Sequence, residues 1–186
     1  FDRKIHVKQA EELTANLFWG IDFNVDYMTA VLGCEYSDGT IHYFDEIRQS
    51  NSNTEQLSLA MKKIAPNINI YPDSSGKNRS TTSNKSDHVI LMDHGFNVIA
   101  KKANPPIIDR INALNRMLQD ANGKIRMTVD PKCTYLIKDL EQVQRSRDGK
   151  IDKTKDITLT HALDACSYYI ALKYPVVKRL VTSSQW

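Results

Sequence analysis

Short apolar runs separated by turn residues make up much of the first quarter of the chain. Runs rich in aromatic and β-branched residues predict strands over residues 17–23, 28–36 and 40–47. The Asp38-Gly39 pair between the second and third runs is a typical hairpin signal. Three consecutive antiparallel strands are therefore expected at the start of the fold.

After the third strand the apolar spacing changes from strand-like to helical. Ser52-Asn53-Thr54-Glu55 offers a capping box for a helix that ends before Pro66. Beyond this helix, strands and helices continue to alternate along the chain. Strands are predicted over residues 68–73, 97–100 and 125–129, and helices over a segment ending at Gly95 and over 107–121, 133–143 and 159–172.

The predicted helix over residues 107–121 is amphipathic. Its apolar positions form a stripe of Ile108, Ile111, Leu114 and Leu118. Asp109 and Arg110 lie on the same helix, and we expect them to form solvated or structural salt bridges of little consequence.

Three antiparallel strands followed by alternating helices and strands predict an α/β fold with a mixed sheet flanked by helices. This order is that of the ribonuclease H-like arrangement, in which the first strand and the first parallel strand lie side by side. Asp22 and Asp73 follow these two predicted strands. We therefore expect their side chains to lie close together near the middle of the sheet.

The last predicted helix carries a third aspartate. Residues 157–172 read ITLTHALDACSYYIAL, and Asp164 is the only formally charged residue among them. A buried carboxylate is costly without a partner, so something must compensate this charge. His161 and Tyr168 share an edge of the helix with Asp164, and the small Ala162 and Ala165 would allow a close approach to the sheet.

A convergence of these three carboxylates is most simply interpreted as a divalent-metal site. Taken singly, a strand-end aspartate such as Asp22 or Asp73 is more often a turn or capping residue. His161 could bind a metal, orient a water or hold a phosphate, and a hydrogen-bonded structural histidine is an equal alternative.

Composition places few further limits on function. The chain has 186 residues, of which 41% are hydrophobic and 25% charged, as expected for one domain with a sizeable core. The formal net charge of +3 permits nucleic-acid binding without arguing for it.

Three widely spaced cysteines favour a reducing cytoplasm over a disulfide framework. The sequence has no stretch typical of a membrane span or a signal peptide.

Four segments, in this order, resemble the nuclease domain of phage terminase large subunits: GIDFNVDYMTAVLG, YPDSSGKNRSTTSNKSDHVILMDHGF, PPIIDRINALNRML and THALDACSYYI. Terminases are the DNA-packaging motors of tailed double-stranded DNA phages. The resemblance covers nearly the whole chain. It implies a ribonuclease H-like endonuclease that cuts concatemeric DNA during genome packaging.

The resemblance also assigns the site. It implies an acidic triad of Asp22, Asp73 and Asp164 that holds two divalent cations, Mg²⁺ or Mn²⁺. We expect Asp22 to bridge the cations, Asp73 to bind one and Asp164 the other, with His161 as a further candidate ligand. The two cations would act on a phosphodiester by in-line hydrolysis.

The resemblance further implies the cellular setting. Partners would be double-stranded DNA and, in a full terminase, the ATPase domain, the small subunit and the portal or procapsid, with no membrane. The expected location is the bacterial host cytoplasm rather than the mature virion. No GxxxxGK[ST] motif occurs, so we expect residues 1–186 to be a single nuclease domain without the ATPase domain. The linker-like start (1–15) and the tail (176–186) are expected to pack loosely.

DNA contacts are expected from basic residues in two segments near the triad. The residues are Lys77, Arg79 and Lys85 after Asp73, and Arg145, Arg147 and Lys150 before the last helix. The alternative for both segments is a solvated loop.

Two alternative functions stay open at this point. A junction resolvase or transposase-like nuclease would use similar carboxylates within the same fold. A DNA-docking or capsid-docking module would keep the fold without catalysis.

Overall fold

One mixed sheet of six strands forms the centre of the computed structural model, which describes residues 1–10, 12–13, 16–24, 26–78, 85–144, 156 and 158–176. The strands are β1 (Leu17–Asp22), β2 (Tyr27–Glu35), β3 (Ile41–Ser50), β4 (Asn69–Pro72), β5 (Asn97–Val98) and β6 (Met127–Val129). Their order is β5-β4-β1-β2-β3-β6. The β1/β2 and β2/β3 pairs are antiparallel, whereas β1/β4, β4/β5 and β3/β6 are parallel. The predicted mixed sheet is confirmed.

Helices cover both faces of the sheet. They are α1 (Arg3–His6), α2 (Thr54–Ile64), α3 (Asp87–Asp93), α4 (Ile107–Leu118), α5 (Thr134–Gln142) and α6 (His161–Lys173). Helix α2 begins one residue later than the capping box predicted, because Asn53 is the N-cap and accepts from the backbone N–H of Gln56 at 3.0 Å. None of the helices in the described ranges has the length and apolarity that crossing a membrane would require.

Strand β1 divides its side chains between the two faces of the sheet, because successive residues of a strand point in opposite directions. Phe18 packs in the core beneath α4, α5 and α6, and Gly20 and Asp22 share its face. Trp19 and Ile21 lie in the second core, beneath α2 and α3. Both faces of β1 are therefore buried, as expected for a central strand.

Helix α6 lies directly on β1. A Cβ added to Gly20 would stand 2.2 Å from the carbonyl oxygen of Ala165, so glycine is needed for the helix to approach this closely. Beside this contact the rings of Phe18 and Tyr169 are stacked, with centroids 3.5 Å apart. The predicted close approach at Ala165 is confirmed, and it places the first turns of α6 over the end of β1.

A side chain from another helix caps the start of α6. Thr160, the residue before the helix, has a left-handed backbone (φ 84°) and makes no side-chain cap. Asp139 of α5 instead accepts from the backbone N–H groups of Ala162 and Leu163, both at 3.0 Å. Burial raises the pKa of Asp139, although these hydrogen bonds lower it. The cap joins α5 to α6 in the core.

The buried face of α4 differs from the predicted stripe. Ile108 is 39% exposed, whereas Arg110, Ala113 and Met117 are buried together with Leu114. The stripe prediction was wrong at its start, because Arg110 and not Ile108 lies on the buried face. The helix is rotated so that this arginine faces α6.

The start of the chain packs more tightly than expected. The His6 ring is buried, and its Nε2 lies 3.0 Å from the carbonyl oxygen of Leu118. Val7 pairs with Val129 of β6 in an isolated parallel bridge. Residues 1–7 therefore belong to the folded domain, and the prediction of a loosely packed start was wrong for them.

Replacing Gly20 with alanine should move α6 away from the sheet. Because the new Cβ meets backbone atoms of Ala165, we expect the free energy of unfolding to fall by about 1–3 kcal/mol or more. Urea denaturation measures the loss. Gly33→Ala is the comparison, because its Cβ would meet side-chain atoms rather than backbone: the Phe18 ring at 2.7 and 3.1 Å and Cδ1 of Tyr43 at 3.1 Å. Equal losses at the two glycines would contradict the backbone contact.

Removing the cap from α6 should also destabilise the domain. In Asp139→Ala two backbone N–H groups at a buried helix start lose their acceptor, so we expect a loss of about 2 kcal/mol or more. Asp139→Asn keeps an acceptor oxygen and should lose less than half as much. Thermal unfolding followed by circular dichroism compares the variants. If both lose the same stability, the carboxylate charge matters and not the acceptor.

Candidate active site

Asp22 is buried where β1 ends under α6. It is 7% exposed, and its Oδ2 lies 3.1 Å from Nδ1 of His161. Burial raises the pKa of Asp22, the His161 hydrogen bond lowers it, and the charges of Asp164 and Asp73 raise it further. The net direction is upward. Asp22 therefore lies in the field of two other carboxylates.

Asp73 follows β4, the strand parallel to β1. The pairing of Ile21 with Pro72 places the ends of the two strands side by side, and the Asp73 backbone N–H donates to the Ile21 carbonyl at 3.0 Å. Asp22 and Asp73 thus lie next to each other where two neighbouring inner strands of the sheet end, and the predicted closeness is confirmed.

Local donors hold the Asp73 carboxylate in place. Its Oδ1 accepts from the backbone N–H of Ser75 at 2.7 Å and from Nδ2 of Asn104 at 2.6 Å. Burial raises the pKa of Asp73, but these donors and the Tyr168 hydroxyl outweigh it and bring the pKa below its ordinary value. Asp73 is therefore favoured as a carboxylate.

The Tyr168 hydroxyl joins two of the acidic side chains. It lies 3.0 Å from Oδ2 of Asp73 and 3.4 Å from Oδ1 of Asp22. Burial and the Asp22 charge raise the pKa of Tyr168, so the phenol is a neutral donor near these carboxylates. Because the hydroxyl has one proton, it can donate to only one of them at a time.

Asp164 is ion-paired with Arg110 of α4. Nη1 of Arg110 lies 2.8 Å from Oδ1 of Asp164 and also donates to Oγ of Ser167 at 2.7 Å. The two charged side chains are 7% and 13% exposed. The guanidinium lies over the Tyr168 ring, 4.7 Å from its centroid. Arg110 is therefore the buried partner that the sequence required for Asp164 but did not identify.

The three predicted aspartates converge, and each carboxylate is held by a different protein side chain. Within the described parts of the chain, no group of three or more His, Cys, Asp or Glu side chains has a geometry that could hold a metal ion. Asp22 is engaged by His161, Asp73 by Asn104, and Asp164 by Arg110.

His88, near the start of α3, contacts the backbone at Asp73. It is 9% exposed, and its Nε2 lies 2.8 Å from the Asp73 carbonyl oxygen. Like Asn104, it comes from a segment without a distinctive chemical pattern. Only the three-dimensional structure brings these two residues to Asp73.

A second arginine lies along the same sheet edge. Register pairs Asp22 with Thr29 and Thr29 with Arg48, so the three residues form a row across the strands. The Arg48 guanidinium lies between the rings of Tyr27 and Tyr135, 4.2 and 4.8 Å from their centroids. Its Nη2 donates to the Thr158 carbonyl at 2.9 Å. Arg48 thereby fixes the residues that lead into α6.

The predicted DNA-contact residues are only partly described. Lys77 is exposed and donates to the carbonyl of Lys102, and Lys85 forms an ion pair with Asp93 at 2.6 Å. The other candidates lie outside the described residues: Arg79, Arg145, Arg147 and Lys150.

Solved structures resemble this fold over most of its length. The nuclease domain of the P22 large terminase matches with a TM-score of 0.73 and 18% sequence identity, covering 94% of this chain and 91% of that chain. The nuclease domain of the large terminase (g2p) from bacteriophage SPP1, solved with bound Mn, matches with a TM-score of 0.57 and 16% identity, covering 88% and 94%. These likenesses confirm the predicted ribonuclease H-like fold.

Comparison of the sequence with protein families gives the assignment. No curated protein matches the chain. The family described as the terminase RNaseH-like domain matches residues 19–173, a span that includes all three aspartates, His161 and Arg110. The chain therefore belongs to the terminase RNase H-like domain family.

Proposed function

We propose that this domain is a metal-dependent endonuclease that cuts concatemeric double-stranded DNA during phage genome packaging. The observation that carries the proposal is the convergence of Asp22, Asp73 and Asp164 where α6 meets the ends of β1 and β4, in a chain of the terminase family. The Mn bound in the SPP1 nuclease domain supports a divalent cation as the cofactor.

The donor chemistry of the site fits a divalent cation. The three carboxylates, two at strand ends and one on α6, offer the oxygen ligands that Mg²⁺ and Mn²⁺ prefer. Burial raises the pKa of Asp22, repulsion by Asp164 and Asp73 adds to the rise, and a bound cation would act in the opposite direction. Asp22, Asp73 and Asp164 are the residues that would hold two such ions.

Two divalent cations would activate the attacking water and stabilise the charge on the departing 3′ oxygen of the phosphodiester. The protein itself positions the carboxylates. His161 orients Asp22, Asn104 and Ser75 orient Asp73, and Arg110 orients Asp164. Since His161 contacts the Asp22 carboxylate, we assign it to orienting that carboxylate rather than to binding a cation.

Basic residues around the site would bind the DNA backbone without selecting a sequence. Lys77 and Lys85 are exposed candidates on the segment after Asp73, but each would have to exchange a present contact for a phosphate. Arg79, Arg145, Arg147 and Lys150 stay candidates on the basis of the sequence.

The remaining parts of the proposal concern the whole protein. We place the domain in the bacterial host cytoplasm, acting with an ATPase domain, a small terminase subunit and a portal or procapsid. The family assignment supports this setting. One acidic cluster cuts one strand, so a double-strand break requires two subunits or two successive nicks.

Replacing any of the three aspartates with asparagine should abolish DNA cleavage. Each change removes one negative charge from the site at nearly constant size, so we expect cleavage rates at least about a hundredfold lower. The measurement is conversion of supercoiled plasmid to nicked and linear forms by the purified domain with Mn²⁺, with and without a chelator.

Asp87→Asn is the matched control for these variants, because Asp87 lies on α3 and bonds to Thr54. It should cut plasmid at the wild-type rate. If the domain binds DNA but does not cut it with Mn²⁺ or with Mg²⁺, the enzyme proposal is contradicted and a docking module is favoured. If Asp22→Asn still cuts DNA, the cleavage activity does not depend on this carboxylate cluster.

Substrate shape separates a packaging nuclease from a junction resolvase. Because a terminase acts on ordinary duplex, we expect linear duplex to be cut at least as fast as a four-way junction of the same sequence. Parallel time courses on the two labelled substrates measure the ratio. A strong preference for the junction would overturn the packaging assignment while leaving the metal chemistry intact.

A further inference from the structure

We propose that Arg110 sets how many divalent cations the site holds before DNA arrives, and how tightly. The inference rests on the proposed function, since it concerns the same carboxylates. It starts from the buried pair that Arg110 forms with Asp164, in which Nη1 and Oδ1 lie 2.8 Å apart.

Arg110 is held as a fixed part of the site rather than as a mobile surface charge. It is 6% exposed, and the same Nη1 contacts both Asp164 and Ser167. Its guanidinium is also in contact with the face of the Tyr168 ring, whose hydroxyl touches Asp73 and lies near Asp22. One arginine is thus linked to all three carboxylates, directly to Asp164 and through Tyr168 to the other two.

The charge balance at the site follows from this geometry. Asp22, Asp73 and Asp164 together contribute three negative charges when ionised, and Arg110 contributes one positive charge. The sum of minus two is matched by one divalent cation and leaves no net negative charge to attract a second. A phosphodiester brings further negative charge, so a second cation is favoured only together with DNA.

Arg110 therefore acts as a positioning residue that works through Asp164. While the pair is intact, its opposite charges largely cancel in their effect on a cation at Asp22 and Asp73. Asp22 and Asp73 would hold the first cation, and Asp164 would ligate a second cation only when DNA phosphate draws Arg110 away from it. This order of binding would keep the DNA-free domain at one cation per chain.

Titration of the DNA-free chain with Mn²⁺ in a calorimeter tests the inference. We expect one Mn²⁺ per chain for the wild type. Arg110→Met removes the positive charge at similar side-chain length, so it should bind the first Mn²⁺ about tenfold tighter or more and take up a second. The rise in melting temperature on adding Mn²⁺ should increase in the same variant, because ligand binding stabilises the folded state.

A double variant gives the sharpest outcome. Asp164→Asn leaves Arg110 unpaired, so it should weaken Mn²⁺ binding about tenfold. Adding Arg110→Met to Asp164→Asn removes the stranded charge and should restore the affinity to within about threefold of wild type, although the double variant will not cut DNA. If Arg110 only stabilised the fold, adding Arg110→Met to Asp164→Asn would not restore Mn²⁺ affinity.

Two further variants control for folding and for charge. Arg116→Met lies on the same helix at an exposed position and should leave Mn²⁺ binding unchanged. Arg110→Lys keeps the positive charge and should bind one Mn²⁺ with near wild-type affinity. Because the double variant removes both members of the buried pair, it stays informative even if Arg110→Met alone folds poorly.

The outcomes separate this inference from the proposed nuclease. Wild-type uptake of two Mn²⁺ with equal affinity, or a double variant as weak as Asp164→Asn, would overturn the role of Arg110 while plasmid cleavage stayed intact. No Mn²⁺ binding by the wild type, together with no cleavage, would overturn both.

Discussion

The contact between Gly20 and Ala165 is the constraint on which the site depends. With no side chain at position 20, the backbone of α6 rests on the backbone of β1. Asp22 is two residues further along the strand, and Asp164 precedes Ala165 on the helix. A larger residue at position 20 would separate the two carboxylates, because interiors are too densely packed to absorb the extra volume. The acidic cluster is therefore a consequence of close helix–sheet packing.

The first turn of α6 contains buried polar and charged groups that are paired with residues from elsewhere in the fold. Asp139 accepts from the first N–H groups of α6, Arg48 holds the carbonyl of Thr158, and Arg110 compensates Asp164. Each of these partners comes from a different element of the fold. Since a buried unpaired charge is costly, the three contacts together make the position of α6 specific.

The sequence predicted the order of strands and helices, the convergence of three aspartates and the edge of α6 that carries His161 and Tyr168. These features follow from local periodicity and from an established topology. The partners Arg110 and Asn104 could not be predicted in the same way. Arg110 has the spacing of a surface residue on α4, and only the rotation of that helix against α6 turns it inward. Contacts between residues far apart in the chain, such as Arg110 and Asp164, produce no pattern in the local sequence.

The three carboxylates differ in what holds them, and this difference bears on how the site responds to change. Asp73 takes donors on Oδ1 from its own turn and from Asn104, and α6 reaches it only through the Tyr168 hydroxyl at Oδ2. Asp22 is bonded to His161 and Asp164 is placed by α6 itself, so both lose their arrangement if that helix moves. A small shift of α6 would thus alter Asp22 and Asp164 most, while the donors to Oδ1 would keep Asp73 in place. The geometry of the acidic cluster therefore depends on the contacts that dock this one helix, which include the Gly20 contact, the Asp139 cap and the Arg110 ion pair.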